Sequence, residues 1–321
     1  MTMTFTSGIS FSGGVTVTAE APPPPQNTAA WFGGGTAPGF RSTVDRITFA
    51  TDTSTASVRG PLSLARDRLA ATGNTTDGWF GGGYAPPNVS RVDRITYATD
   101  TATASVRGPL SAANYVLAAV GNSDYGWFGG GFAFPGITYS RIDRITYATD
   151  TATASVRGPL SQTTQRLAAA GNSDYGWFGG GREGPTYSTV ARITYATDTA
   201  TASVRGPLSA ASYFLAAAGN TTDGWFGGGF SSGTSSTVQR ITYATDTATA
   251  SVRGPLSLAR FGLAAASNFD YGWFGGGFSN ITLTLYSTVD RITYATDTAT
   301  ASVRGPLSGG RSYLAAAGGI Q

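Results

Sequence analysis

Trp79-Phe80-Gly81-Gly82-Gly83 is one of six copies of the string WFGGG, which open at Trp31, Trp79, Trp127, Trp177, Trp225 and Trp273 with gaps of 48, 48, 50, 48 and 48 residues. A repeat of this length is one small sheet that cannot bury its own faces alone. The copies must therefore pack on each other, in a row or in a ring. Working outward from Trp79, the second copy reads as four strands. Trp79 to Gly83 is a short strand ending in glycines, and Ser90 to Ala98 alternates as a second strand up to a turn at Thr99-Asp100. Thr101 to Arg107 is the third, stopped by Gly108-Pro109. Tyr115 to Val120 is the fourth, and Gly121 to Gly126 turns the chain into the next WFGGG. Four antiparallel strands per period make the blade of a β-propeller.

Composition agrees and excludes several chemistries. Helix-type periodicity is missing, while Thr, Val, Ile, Tyr and Gly abound, as in an all-β chain. The 321 residues contain no Cys, His or Lys, so disulfides, Cys or His metal ligands and His-based catalysis are ruled out. The net charge of +3 is too small by itself to point to nucleic acid. No apolar run approaches the roughly 20 residues that span a bilayer, so membrane insertion is not expected. The start, MTMTFTSGISFSGG, has neither a basic leader nor a continuous apolar core, and is not expected to act as a secretion signal.

The blades resemble the kelch family. The matching features are Gly81-Gly82-Gly83 at a strand end, Tyr97 near a polar turn, and Gly108-Pro109-Leu110, over residues 29–319 and all six copies. Thr101 to Thr103 stands where kelch blades normally carry a Trp. The resemblance implies that the LAAV-type segment is the innermost strand A, WFGGG is B, the RITYATD segment is C and the ATASVRG segment is the outermost D. Alanines suit the crowded axis of such a ring. The first copy begins at strand B, and an extra strand A, Arg311 to Ala317, follows the last D. That strand can complete the first blade and leave no unpaired inner edge. The expected fold is thus an all-β, six-bladed propeller over residues 27–321, closed by its C-terminal strand, behind an arm of residues 1–26.

The copies differ in two places only. The A–B and C–D turns are nearly fixed, whereas the B–C and D–A connections vary, and all length differences fall in the B–C connection. In a meander those two connections emerge on one face of the disc. Variable loops on a rigid scaffold suit a binding face. Twelve Arg residues recur at two fixed positions per blade, for example Arg94 and Arg107; the other nine, Arg41, Arg66, Arg68, Arg91, Arg141, Arg166, Arg182, Arg260 and Arg311, lie in variable segments. Only Asp67 and Glu183 offset them there, a surplus of seven positive charges on one face. Such a face suits an anionic ligand, for example an acidic or phosphorylated surface polysaccharide. Tyr115, Tyr139, Tyr187, Tyr213, Tyr286 and Tyr313 lie in the same segments and are placed to stack on sugar rings. Arg66, Arg260 and Arg311, each three residues before a strand-A Leu, also fit a framework role.

The recurring charges read as structural. Arg94 and Arg107 should share one side of the C–D hairpin, with Asp93 on the other side available for a bridge between blades. Ala191 and Gln239 replace that Asp in two copies. Asp100 and its equivalents read as caps of the C–D turn, and the six Trp as blade-to-blade packing.

No catalytic or metal site is expected. A Glu183–Tyr187 pair is the only hint of sialidase-type chemistry, and the glycine runs lack the Gly-Lys-Ser end and helix of a phosphate loop. The Asp-bearing turns offer too few carboxylates for calcium. Nucleic acid is disfavoured by the lack of Lys and of a repeated stacking platform. No cofactor is implied. Residues 1–26 read as two short strands followed by the stiff spacer Pro22 to Pro25. With Phe5, Ile9, Phe11, Val15 and Val17 as its apolar contacts, the arm is expected to dock the ring onto a larger body or to join copies of the chain as a homo-oligomer. FTSGISFSGG, the Pro spacer and the near-identical blades are similar to virion and tail-associated proteins of tailed, especially marine, phages. That resemblance implies a non-enzymatic virion protein, assembled in the host cytoplasm and acting outside it on host-surface glycans. The alternatives are virion decoration or a spacer, or an intracellular kelch-type protein-binding module.

Overall fold

The computed structural model describes residues 27–318. They form six four-stranded antiparallel sheets. The innermost strands touch in unbroken order around an axis, and the last meets the first. In blade 2 the strands run outward as A (Ala70–Gly73), B (Asp77–Gly81), C (Val92–Thr96) and D (Ser105–Arg107). Blade 1 takes its strand A from the far end of the chain: Ala315–Ala317 pairs with Ala29–Gly33, Trp31 opposite Ala317 and Gly33 opposite Ala315. Ring closure and strand order are thus as the repeat implies. The arm and its five apolar residues lie outside the described residues.

Strands C and D are shorter than their sequence pattern for one reason, and strand A also starts later than expected, at Ala118 rather than Tyr115. Strand C stops at Thr96 because Tyr97–Thr99 coils into a 3-10 turn. That turn lays the Tyr97 ring flat on Trp31 of the preceding blade, 3.7 Å between centroids and 7° between planes. Strand D begins only at Ser105 because the Thr101–Ala104 stretch is spent on the neighbour: the Gly60 N–H donates to the Asp100 carbonyl, and the Ala104 N–H to that of Pro61. Packing between blades overrides the strand preference of the Thr-Ala run.

The fixed acids belong to this seam, which corrects two expectations. Asp100 does not cap its own turn. Its Oδ2 accepts from Trp31 Nε1 at 2.8 Å and Arg46 NH1 at 3.0 Å, with Arg59 Nε at 3.6 Å, all from the preceding blade. The same clamp recurs at Asp150, Asp198, Asp246, Asp297 and Asp52. So the paired Arg residues do bridge blades, but through the Asp100 position and in every blade, not through the Asp93 position. At the closing seam Phe49 replaces Tyr and stacks on Trp273 at 4.0 Å. As expected, the Trp rings are blade-to-blade packing, each buried in a core shared by two blades.

The seam also explains the glycine triplet. A Cβ on Gly81 would stand 2.6 Å from the Phe128 ring of the next blade. Gly82 and Gly83 turn the chain with φ of 66° and 111°, which disfavours other residues.

Candidate functional site: an axial vestibule on the variable face

The B–C and D–A connections meet on one face, where they bond each other: the Gly35 N–H donates to the Arg66 carbonyl and that of Arg66 to the Arg41 carbonyl. The A–B and C–D turns are likewise joined to each other, as in Tyr97 N–H to Thr76 O. Those fixed turns also carry the seams. Asn74, for example, orders its own turn through Oδ1 and reaches Ser123 of the next blade at 3.4 Å. Their constancy is a packing requirement, so it does not measure how fast an unconstrained loop would vary. What distinguishes the variable face is its geometry.

At the axis, the residue just before each strand-A Leu adopts a left-handed backbone: Arg68, Val116, Arg166, Phe214, Gly262 and Tyr313, with φ between 52° and 65°. The conformation aims N–H and C=O along the circumference. Each N–H donates to the carbonyl of the equivalent residue in the preceding blade: Arg68 to Tyr313 (2.8 Å), Val116 to Arg68 (2.8 Å), Arg166 to Val116 (2.7 Å), Phe214 to Arg166 (2.8 Å), Gly262 to Phe214 (2.8 Å) and Tyr313 to Gly262 (2.6 Å). The bonds close on themselves. Left-handed backbone costs roughly 1–2 kcal/mol per non-glycine residue, and each hydrogen bond returns about 1 kcal/mol. Because the ring is made by backbone alone, its six positions hold four side-chain types and one Gly without altering it.

Those side chains floor a vestibule of about 590 Å³. Its walls are mostly aromatic, including Tyr84, Tyr115, Tyr213, Phe230 and Phe261, with Asn280 from a long B–C hairpin. Beneath it a second, smaller pocket of about 80 Å³ is lined by the strand-A leucines, Leu69 to Leu314. The vestibule brings together Arg68, Arg166, Tyr115, Tyr213 and Tyr313 among the residues expected from sequence, with Arg182 beside it over the Tyr213 ring at 5.0 Å. The other candidates stand apart. Arg41 is exposed, and Arg91 donates to Ser63 Oγ at 2.9 Å. Arg141 pairs with Asp143 at 3.3 Å and lies over Tyr139. Tyr187 donates to the Glu183 carbonyl, and the Tyr286 hydroxyl meets Thr282 Oγ1. Tyr84, Val116, Phe214, Phe230, Phe261 and Asn280 were not singled out from sequence. The signal for most of them is positional: Tyr84 and Phe230 directly follow a glycine triplet, and Val116 and Phe214 directly precede a strand-A Leu.

Arg66, Arg260 and Arg311 are not ligand-facing, contrary to the binding assignment. Their side chains are 0%, 0% and 3% exposed and pair with Asp93, Asp290 and Asp45 at 2.8, 3.2 and 2.9 Å. Burial pushes all three guanidiniums below their usual pKa, opposed by the paired carboxylates. Arg66 also donates to the Phe80 and Gly82 carbonyls, sealing the end of strand B. The copies covary at this pair. Where Arg is replaced by Thr164 or Ser212, the Asp becomes Ala191 or Gln239; Asn114 keeps Asp143, and Arg141 supplies the cation. Replacing one member of a buried pair strands the other charge at a cost of about 3 kcal/mol. Arg66→Thr is therefore expected to lower stability by about that amount, and adding Asp93→Ala to recover at least half of it. Equal denaturant midpoints for the single and double variants would contradict the pairing.

The vestibule charges are unequal. Arg68 lies 4.7 Å over the Tyr313 ring and pairs with Asp67 at 3.2 Å. Asp67 is 2% exposed, and burial raises its pKa to about 6 against the pull of Arg68. Between its usual range and about 6, the folded chain therefore binds a proton that the unfolded chain does not. The effect on stability falls as pH rises through 6, and below 6 Arg68 loses its counter-charge. An anion seated beside Arg68 and ionised throughout, such as a sulfated sugar, would then be held about two- to fivefold more tightly at pH 5 than at pH 7. Titration calorimetry of wild type and Asp67→Asn checks this, the difference vanishing in the variant. Arg166 forms no ion pair among the described residues; it lies over Phe214 at 5.0 Å and its Nε is buried without a partner. Burial also raises the Tyr115 and Tyr313 phenols, the opposite of what an activated phenol nucleophile needs. Among the described residues no cluster of carboxylates could hold a metal ion.

Comparison with protein-family models and with curated protein sequences gives no match. Among solved structures, the one described as "Structure of YjhT" superposes with a TM-score of 0.65 at 10% identity, covering 80% of this chain and 88% of that one. At that identity the likeness is one of fold: the chain is a six-bladed β-propeller of four-stranded blades, closed by its last strand.

Proposed function

We propose that this propeller is a non-enzymatic recognition module of a phage virion or tail, which attaches through residues 1–26 and binds an anionic host-surface glycan on its variable face. The observation that carries the binding role is the vestibule: Arg166 without a carboxylate partner, in an aromatic-walled bowl at the axis. Aromatic faces and guanidiniums together suit a sugar bearing a carboxylate or phosphate. The virion-like N-terminal stretch, the Pro spacer and the near-identical blades support the setting. A glycan array probed with the purified protein tests the binding role. Acidic polysaccharides should be retained and neutral ones not; indifference to charge, or no retention, would overturn it. Deleting residues 1–26 should release the protein from particles while leaving the ring folded.

A structural role as decoration or spacer has one observation in its favour. Val58, Val106, Val156, Val204, Val252 and Val303 stand 54–63% exposed on the six outermost strands. Such a belt suits lateral packing in a particle. Adsorption of virions carrying Arg166→Asn decides between the two: a recognition module loses adsorption, and a spacer does not.

A further inference from the structure

Two guanidiniums converge on one phenol ring in the vestibule. The Arg166 Cζ lies 5.8 Å from the Tyr213 centroid, and the Arg182 Cζ lies 5.0 Å from it. They reach it from different segments. Arg166 comes from the left-handed ring at the axis, and Arg182 directly follows the glycine triplet of Gly179 to Gly181. The two segments are held together by paired backbone bonds between Gln165 and Arg182, 3.2 and 2.9 Å. Among the described residues neither guanidinium has a carboxylate within ion-pair distance. Arg182 instead donates to the Gly184 carbonyl, and Glu183, next in sequence, makes no ion pair with it. Elsewhere among the described residues most buried or half-buried Arg residues are matched to acids, six times over at the clamps and three times at the sealed strand ends, while Arg91 donates to Ser63 Oγ. The Arg166–Arg182 corner instead sets two unmatched guanidiniums over one ring, and it opens into the vestibule of about 590 Å³.

Burial strips the Arg166 guanidinium of water, and the like charge of Arg182 repels it; both lower its pKa. A compact oxyanion between them would relieve the repulsion and take up the free donors, with planar forks suited to two oxygens each. Tyr213 and Phe214 then offer ring faces to whatever body carries the anion. Selectivity follows from the same construction. The backbone ring is indifferent to its side chains, so exchanging Arg166, Phe214 or Tyr313 changes what the floor recognises without changing what holds it.

We infer that the corner formed by Arg166, Arg182, Tyr213 and Phe214 is the anion seat of the vestibule, taking a single carboxylate or phosphate borne on a sugar ring. This deepens the glycan-binding reading and rests on it. The test is titration calorimetry of the full chain with four probes: glucuronic acid, glucose 6-phosphate, glucose and inorganic phosphate. Glucuronic acid or glucose 6-phosphate is expected to bind at least about tenfold more tightly than glucose, the worth of one charge-assisted pair. Inorganic phosphate alone should bind more weakly than the sugar phosphate, because it leaves the ring faces uncovered. Arg166→Asn keeps a residue that tolerates the left-handed backbone and should cost at least that factor with an unchanged melting temperature. Arg182→Gln, outside the backbone ring, should cost a similar factor and covers the case in which the first variant misfolds. Equal binding of glucose and the acidic sugars, or acidic-sugar binding unaffected in both variants, would overturn the seat. If an acidic polysaccharide still binds when both variants are silent, the seat falls and the glycan-binding role stands. If no acidic polysaccharide binds wild type while glucuronic acid does, the role falls and the seat stands.

Discussion

Deleting residues 308–321 is expected to abolish the cooperative melt of the ring. The segment carries the strand Ala315–Ala317 that pairs with Trp31–Gly33, and with it the inner edge of blade 1. It also carries Arg311, whose loss leaves Asp45 buried and unpaired, at about 3–5 kcal/mol. Leu314 is 5% exposed in the core shared by blades 6 and 1, and losing a buried Leu costs about 2–5 kcal/mol. The sum approaches the whole stability of an ordinary domain, about 5–15 kcal/mol. What remains would expose unpaired strand edges, a template for aggregation. Calorimetry should show a broad or absent transition, and light scattering should show particles larger than the monomer. A sharp transition at the wild-type temperature would mean that the ring does not depend on its latch.

The second large effect is expected from Asp52→Ala. Asp52 Oδ2 accepts from Trp273 Nε1 at 2.9 Å and Arg291 NH1 at 3.0 Å, with Arg304 Nε at 3.7 Å. One carboxylate therefore accepts two hydrogen bonds and faces a second guanidinium across the seam that closes the circle. Removing it leaves a buried indole N–H and two cations without their acceptor, a loss of about 3–5 kcal/mol. For a chain of this size that lowers the melting temperature by about 10 °C. Asp150→Ala breaks the same clamp between blades 2 and 3. In a ring with nearest-neighbour coupling the two should cost alike. A much larger loss at Asp52 would show that the closing seam is the weak one. A loss under about 1 kcal/mol in both would mean that the clamps are ordinary surface pairs.

Much of the scaffold was legible in the chain. WFGGG at a near-constant period fixed the number of blades, and the strand order followed from the turn residues around Trp79. The extra alanine strand beyond the last copy announced the latch, because one strand was missing at the beginning and one was surplus at the end. Asp100 shows where the reading stopped. An Asp in a polar turn normally bonds its own turn, and nothing local says that this one reaches a Trp and two Arg in the blade before. Arg66 is the same lesson with the opposite sign. A basic residue in a variable connection looks solvent-facing, yet it seals a strand end; its fixed place three residues before a strand-A Leu and its covariation with Asp93 are the hints. In the vestibule, Tyr115, Tyr213, Tyr313, Arg68 and Arg166 are legible as tyrosines and arginines in variable connections, while Phe214 and Phe230 carry no polar mark.

The sequence alone determined what is periodic: strand alternation, glycine punctuation and a count of six are local properties, repeated until they are unmistakable. The tertiary structure decided which charges are sealed and which are free. That depends on distances between residues of different blades, and on a backbone conformation before each strand-A Leu that Arg, Val, Phe, Gly and Tyr all adopt alike. A circle of amide hydrogen bonds enforces it, and no side chain reports it.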